Sequence, residues 1–258
     1  MRRRIILLGM AVAGIIAGCA QSGGTAGSPE TQAAAVPSGT GPVVSWSLTG
    51  GNLAAGQLAL RPPRLVVYAT GVVVADATYR SDLPSTDVAD LVSHLYGDLR
   101  TADATKRRDG VAVPEDASTT TFSVHTTQGS VSASAMALDE LRQKSGYGTS
   151  LYDARDRIDA LHERVVSAGQ PYTADRILLV AESDLNDAPA PLPWPDSITL
   201  PTREAPGNVR IEDLDGQAAS KAVALMTRDL DLNGAWPAYR TSADTLVRAS
   251  WRYLLPDE

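Results

Sequence analysis

Residues 64–75 carry the clearest strand signal of the chain, and they read Arg64-Leu65-Val66-Val67-Tyr68-Ala69-Thr70-Gly71-Val72-Val73-Val74-Ala75. Two runs rich in β-branched side chains flank the pair Thr70-Gly71. Such runs on either side of a short turn that contains glycine are typical of a β-hairpin. The sequence therefore predicts two antiparallel strands in this region.

Three later stretches show the spacing of apolar residues that favours helices. After Pro84, either Ser85 or Thr86 can cap a helix whose apolar stripe is Val88, Leu91, Val92, Leu95 and Leu99. A second helix has the stripe Ala154, Ile158, Leu161 and Val165. A third is predicted from about Gln217 to Leu230.

The remaining regular segments alternate apolar and polar residues as strands do. A second hairpin is predicted over Thr120–Thr127, the turn Gln128-Gly129 and the positions that follow it, and further strands are predicted over Ile177–Ala181, Val209–Ile211 and Val247–Tyr253. We therefore predict an α+β fold with a mostly antiparallel sheet and about three helices packed on one face. The order of the strands stays open.

The first eighteen residues have the three parts of an export signal. Arg2, Arg3 and Arg4 precede an uncharged run from Ile5 to Ala17, and small residues follow. The run is shorter than the roughly 20 residues that cross a bilayer as a helix. We predict a cleaved signal peptide over residues 1–18, with the export route, Sec or twin-arginine, left open.

Ala17 and Gly18 directly precede Cys19, and this arrangement resembles the lipobox of bacterial lipoproteins. The resemblance implies cleavage between Gly18 and Cys19 and lipid attachment to Cys19. Cys19 is the only cysteine of the chain, so an intramolecular disulfide is excluded. The protein is therefore expected at the extracytoplasmic face of the cell membrane, anchored by its N-terminal acyl chains.

Residues 19–42 are rich in Gly, Ser, Thr, Ala, Gln and Pro, and Glu30 is their only charge. Such a composition is typical of a flexible tether, because it buries too little apolar surface to offset its ordering entropy. We predict a single α+β globular domain over residues 43–258. Loss of Arg2, Arg3 and Arg4 with the signal takes the net charge from −7 to −10, which argues against a nucleic-acid partner.

Motifs for metal binding or catalysis are weak. Residues 229–234, Asp-Leu-Asp-Leu-Asn-Gly, copy the opening of a calcium loop, but Arg240 stands where a closing carboxylate belongs. We interpret them as a helix end with a polar turn at Gly234. The three histidines, His94, His125 and His162, are interpreted as surface or partly buried polar residues, since no nucleophile-elbow motif accompanies them. The sequence predicts no metal and no cofactor.

Two residues are selected as a candidate ligand surface. Trp194 stands among prolines, and His125 shares the polar face of its predicted strand with Thr121 and Ser123. Tryptophan combines a large contact area with a low ordering cost and is favoured at binding surfaces. Trp46, Trp236 and Trp251 could line such a groove too, although Trp251, on an alternating strand, is better explained as a core residue.

Several segments resemble uncharacterised actinobacterial lipoproteins: the lipobox, the 64–75 hairpin with its Tyr-x-x-Gly turn, the run from Tyr172 to Ala181, and the C-terminal Trp-Arg-Tyr-Leu-Leu-Pro-Asp-Glu. The resemblance covers most of the mature chain. It implies lipid anchorage and supplies no activity or catalytic residue.

Three functions remain as hypotheses. The first is a non-enzymatic binding or accessory module acting on an envelope protein, peptide or glycan. The second is an envelope hydrolase whose site assembles only in three dimensions, from His125 and the carboxylates after Ala181, which are Glu182, Asp184 and Asp187. The third is a solute-binding lipoprotein, for which the chain is short. The sequence favours a non-enzyme.

Overall fold

The computed structural model describes residues 34–258 except 102, 184–187, 189, 234 and 235, and for residues 230–233 it describes the backbone alone. Two β-sheets and four α-helices make up this part of the chain. Gly18 and Cys19, on which the lipid anchor is predicted, lie outside the described residues.

The first sheet contains seven strands from the N-terminal two thirds of the chain. They are β1 (Pro42–Gly50), β2 (Leu65–Tyr68), β3 (Val72–Ala75), β4 (Tyr79–Asp82), β5 (Ser118–Thr126), β6 (Gly129–Met136) and β7 (Gln170–Pro171). Their order across the sheet is β6-β5-β1-β2-β3-β4-β7, and all neighbours are antiparallel. Both predicted hairpins, β2–β3 and β5–β6, are present.

The second sheet contains six strands. They are β8 (Arg176–Glu182), β9 (Leu192–Pro193), β10 (Arg203–Ala205), β11 (Val209–Asp215), β12 (Ala238–Arg240) and β13 (Leu246–Tyr253). Their order is β10-β11-β8-β13-β12-β9, and the β12–β9 pair alone is parallel, so the second sheet is mixed.

The helices divide between the two sheets. They are α1 (Ala55–Leu60), α2 (Ser85–Leu99), α3 (Thr149–Ala168) and α4 (Gly216–Asn233), with a 3-10 turn at Arg142–Lys144. Helices α2 and α3 cover one face of the first sheet and enclose the largest core with it. The predicted stripes of both helices are buried there.

Helices α4 and α1 pack on opposite faces of the second sheet. Alternate residues of β8 point to opposite faces, so Ile177 and Leu179 pack against α4 while Leu178 and Val180 pack in the cluster that contains Ala59 of α1. The predicted α+β class with a mostly antiparallel sheet is confirmed. The structure adds a second sheet, which divides the three long helices between two layers instead of one.

The chain before and after the regular elements also contributes to packing. Ala34 is buried, Val36 packs against the largest core, and the backbone N–H of Thr127 donates to the carbonyl of Ala35 over 3.0 Å. The predicted tether thus includes residues that contact the folded part. No helix among the described residues is long and apolar enough to cross a membrane.

Candidate functional site: the hydroxyl face

One face of the first sheet carries an array of uncharged polar side chains on β1, β5 and β6. We call this array the hydroxyl face, and its members are Ser45, Ser47, Thr121, Ser123, His125, Ser130, Ser132 and Ser134. The serines on β6 are exposed, and the members on β1 and β5 are half-buried.

Strand register builds the array from a simple alternation in sequence. Ser45 of β1 lies opposite Ser123 of β5, which lies opposite Ser132 of β6. Residues that lie opposite each other in antiparallel strands project from the same face. The intervening residues, such as Trp46, Phe122 and Ala133, therefore enter the core beneath α2 and α3.

The C-terminal segment decides where the hydroxyl face ends. Val66 and Val74 share the same side of the sheet, and they are buried with Tyr68, Tyr172 and Leu255. The Tyr172 hydroxyl donates to the carbonyl of Leu254 over 2.8 Å and holds that segment in place. The part of the face on β2 and β3 is thus covered, whereas among the described residues the members on β1 and β5 are half-buried and those on β6 are exposed.

Hydrogen bonds between strands order the hydroxyl groups into rows. The Oγ1 of Thr121 lies 2.9 Å from the Oγ of Ser134, and the hydroxyls of Ser123 and Ser132 are 3.1 Å apart. In the Thr121–Ser134 pair one hydroxyl donates and the other accepts, so the accepting group keeps its own proton for an outside partner. The Ser132 hydroxyl, in contrast, donates to the carbonyl of Phe122 over 3.2 Å and accepts from Ser123. The rows therefore present donors and acceptors at fixed positions.

His125 ends this pattern near the β5–β6 turn. Its Nδ1 lies 2.7 Å from the Oγ of Ser130, and either atom can donate, depending on the imidazole tautomer. The predicted location of His125 beside Thr121 and Ser123 agrees with the structure. Among the described residues, no carboxylate is hydrogen-bonded to His125, while Asp184 and Asp187 lie outside the described part of the chain.

Trp194, the other predicted ligand residue, lies at the edge of the second sheet and not beside His125. It follows β9, its indole N–H donates to the carbonyl of Ile198 over 2.6 Å, and its ring meets that of Tyr239 edge-on at 5.4 Å. A groove of about 290 Å³ runs along it, and Arg228 and Leu225 form part of the opposite wall. Trp194 and His125 thus belong to two separate surfaces.

Asp229, which opens the calcium-like motif, lies at the base of this groove with its side chain only 2% exposed. Its carboxylate accepts from the Tyr239 hydroxyl over 2.7 Å and from the Arg228 guanidinium over 2.7 Å. Burial, followed by the hydrogen bond to Asp229, raises the pKa of Tyr239. These bonds give Asp229 a structural role, and for residues 230–233 of the motif the structure describes the backbone alone.

The other tryptophans do not extend the groove. Trp46 is 2% exposed within the core of the first sheet, Trp251 packs against the core under α4, and Trp236 packs on the α1 side of the second sheet. The prediction that Trp251 is a core residue agrees with this packing.

His162 forms a charged cluster that the sequence did not reveal. It is buried on α3, and its Nε2 lies 2.7 Å from the Oδ2 of Asp76. The other carboxylate oxygen of Asp76, Oδ1, lies 2.9 Å from the Arg64 guanidinium. The Trp46 ring lies against His162 and beneath the Arg155 guanidinium, 4.4 Å away. Asp76 follows β3 at a positive φ, and only the tertiary packing joins that turn to α3.

His94 is exposed on α2, in a cleft of about 300 Å³ between α2 and α3. Its Nδ1 lies 2.7 Å from the carbonyl of Asp90 and must donate, because a carbonyl oxygen can only accept. Arg157 and Arg164 line the cleft, and so do Asp87 and Asp90, so its charge is mixed.

Comparisons with known proteins identify no relative of this chain. No protein-family model, no curated protein and no solved structure matches this chain. Among the described residues, no group of three or more His, Cys, Asp or Glu side chains is placed to hold a metal ion. The case for a function therefore depends on the geometry of the surfaces described above and on the N-terminal sequence.

Proposed function

We propose that the protein is a membrane-anchored extracytoplasmic lipoprotein whose folded part is a non-enzymatic binding module for an envelope glycan. The hydroxyl face is the observation that carries the proposal. It is uncharged and ordered by strand register, its serines on β6 are exposed, and its rows offer both donors and acceptors. A polysaccharide presents the matching chemistry, because its hydroxyl groups both donate and accept.

The charge balance favours a neutral ligand over an anionic one at this surface. All members of the hydroxyl face are serine, threonine or histidine, and the whole chain carries a net charge of −7. No member of the array is positively charged, and the cationic Arg61 lines a cleft at the Ser47 end of the face. A peptide with apolar side chains would find a better surface in the Trp194 groove, where Leu192 and Leu225 supply apolar contact.

Anchorage rests on the sequence at Gly18-Cys19 and has a direct test. We expect Cys19→Ala to abolish incorporation of radiolabelled palmitate and to move the protein out of the membrane fraction. A variant with an alanine elsewhere in the same stretch, Ser22→Ala, serves as the control and should remain labelled. Labelling of the Cys19→Ala variant would refute the lipid anchor.

Glycan binding is tested by co-sedimentation with purified peptidoglycan sacculi. The variant Thr121→Val/Ser123→Ala/Ser132→Ala/Ser134→Ala removes four hydroxyls without changing charge, and Ser167→Ala/Ser220→Ala removes two exposed hydroxyls from helices as a control. We expect retention to fall severalfold for the first variant and to stay unchanged for the second. Equal retention of both variants would exclude the hydroxyl face as the glycan-binding surface. Loss of retention with Trp194→Ala, but not with the hydroxyl-face variant, would instead locate binding in the Trp194 groove.

The hydrolase remains a second candidate because His125 and Ser130 are 2.7 Å apart, as a general base and a nucleophile would be. Two features weigh against it: the pair is on an open strand surface, and no described carboxylate orients the imidazole. A fluorophosphonate probe separates the two functions. Labelling that disappears in Ser130→Ala would establish an activated serine, whereas unlabelled protein that binds sacculi supports the binding module.

A further inference from the structure

The four edges of the two sheets differ in how they are protected. Strands β7 and β9 are two residues long and each contains a proline, and β10 is three residues long and contains Arg203 and Glu204. Short length, proline and charge are the devices by which proteins keep strand edges from pairing with other chains. Three of the four edges are thus protected.

Strand β6 is the exception. It has eight residues, Gly129–Met136, and none of them is charged or a proline. Its pairing with β5 runs from Thr119 opposite Met136 to Thr126 opposite Gly129 without a bulge. A long, regular, uncharged edge presents unpaired N–H and C=O groups that can accept another strand.

The outer side of β6 is open in the described part of the chain. Between residues 130 and 135, no backbone group bonds to any described segment other than β5. The ends alone are held: the Tyr147 hydroxyl donates to the carbonyl of Met136 over 2.8 Å, and the Thr126 hydroxyl donates to that of Gly129 over 2.8 Å. No described residue thus occupies the middle of the edge.

We propose that β6 pairs antiparallel with β6 of a second copy of this chain. Rotation by two-fold symmetry about Ala133 places Ser132 opposite the partner's Ser134 and Val131 opposite the partner's Ala135. On one face hydroxyl then meets hydroxyl at positions 132 and 134 and Ser130 meets the partner's Met136, and on the other face small apolar side chains meet. No like charges oppose each other, so the strand is complementary to itself, as a two-fold interface requires.

The pairing joins two seven-stranded sheets into one continuous sheet. Because Ser130, Ser132 and Ser134 are at the junction, the hydroxyl faces of the two copies become one surface of twice the width. The proposal depends only on the β6 edge, and it holds whether or not the hydroxyl face binds a glycan.

Site-specific cross-linking in membranes from cells that express the full chain tests the pairing. Ser132→Cys and Ser134→Cys place thiols on the β6 edge. Thr49→Cys is the control, with a thiol on the same side of the sheet at the end of β1. The unmodified chain shows any background cross-linking through Cys19. A short bis-maleimide reaches across opposite and diagonal positions of a strand pair, about 5 Å and 7–8 Å apart. We expect covalent dimers from positions 132 and 134 and not from position 49.

A second experiment introduces a charge on the β6 edge. Adding Ser132→Lys to Ser134→Cys should reduce the dimer severalfold through repulsion across the two-fold axis, whereas adding Thr49→Lys should leave it unchanged. Reaction with a monofunctional maleimide shows that each thiol is accessible, and resistance to limited proteolysis shows that each variant is folded. An accessible, folded Ser134→Cys variant that gives no dimer would overturn the proposal, and so would cross-linking to a protein of another mass.

Discussion

Beneath the Trp194 groove, we expect a single hydrogen bond to contribute to stability. Tyr239 is fully buried and donates to the carboxylate of Asp229. Tyr239→Phe deletes this donor and leaves a buried anion with fewer partners. We expect a loss of about 1–3 kcal/mol in the free energy of unfolding, measured by urea denaturation.

Tyr79→Phe provides the matched control for Tyr239→Phe. Tyr79 is half-buried, and its hydroxyl has no hydrogen bond within the described part of the chain. The change should stay within about 0.5 kcal/mol. Equal effects of the two substitutions would show that the Tyr239–Asp229 bond contributes nothing beyond the ring itself.

At Glu258 the prediction concerns acid stability. Burial raises the pKa of this carboxyl, but hydrogen bonds from the Arg252 guanidinium and from the backbone N–H of Leu255 outweigh it, and the net pKa is lowered. A carboxyl whose pKa is lowered by folding stabilises the protein above its ordinary pKa, near 4.5, and loses this contribution as the pH falls through the folded value.

The Glu258→Gln variant tests this linkage. We expect it to be less stable than the unmodified protein at pH 7, with the difference shrinking as the pH falls below about 4.5, as followed by thermal unfolding across pH 3–7. Glu163→Gln, an exposed carboxyl on α3 without a described partner, is the control. A difference that does not depend on pH would contradict the assigned role of Arg252.

At the scale of elements, the β2–β3 turn depends on a glycine. Gly71 has a φ of +92°, and a Cβ there would lie 2.4 Å from the carbonyl oxygen of Leu83. Both the left-handed backbone and the contact with rigid backbone oppose any larger residue. We expect Gly71→Ala to destabilise the protein by well over about 1 kcal/mol, measured by urea denaturation.

Gly97→Ala is the opposite case in the same assay. Gly97 lies within α2, and a Cβ there would meet no atom within 4 Å. Alanine restricts the unfolded chain and favours the helix, so we expect stabilisation by roughly 0.5–1 kcal/mol. Destabilisation by both substitutions would contradict the geometry, which leaves space for a Cβ at Gly97 but not at Gly71.

Local patterns of apolar and polar residues were sufficient to predict some helices and strands but not others. The stripes of α2 and α3 are strongly periodic because each helix meets one core along one face. Strands β2, β3 and β8 were predicted instead from continuous apolar runs, which arise because these strands are buried on both faces. Strand β1 was missed, although Val44 and Trp46 alternate with Ser45 and Ser47, because it directly follows the low-complexity stretch. Ser85 and Thr86 were predicted to cap α2, but neither makes a cap hydrogen bond and Pro84 precedes the helix.

For the whole molecule, alkaline pH should weaken the fold. Burial raises the pKa of Tyr68, and its hydrogen bond to Asp257 raises it further; burial also raises the pKa values of Tyr172 and Tyr239. A group whose pKa is raised by folding stabilises the protein below its ordinary pKa, about 10 for tyrosine, and this contribution declines as the pH rises above that value.

The variant Tyr68→Phe/Tyr239→Phe tests this dependence. We expect the midpoint of thermal unfolding to fall between pH 9 and pH 11 less steeply in the variant than in the unmodified protein, since fewer tyrosines then ionise on unfolding. Tyr79→Phe again serves as the control, because Tyr79 is half-buried and its hydroxyl has no hydrogen bond within the described part of the chain. Identical slopes for all three proteins would contradict the linkage.

The sequence by itself determined the α+β class, the two hairpins, the three long helices and the placement of His125 on a polar strand face, because each follows from local periodicity. Only the tertiary structure decided that there are two sheets, that β1 lies between β5 and β2, and that Asp76 meets His162. It also separated Trp194 from His125 and left the β6 edge open. These features depend on contacts between residues far apart in the chain, which periodicity along one segment does not encode.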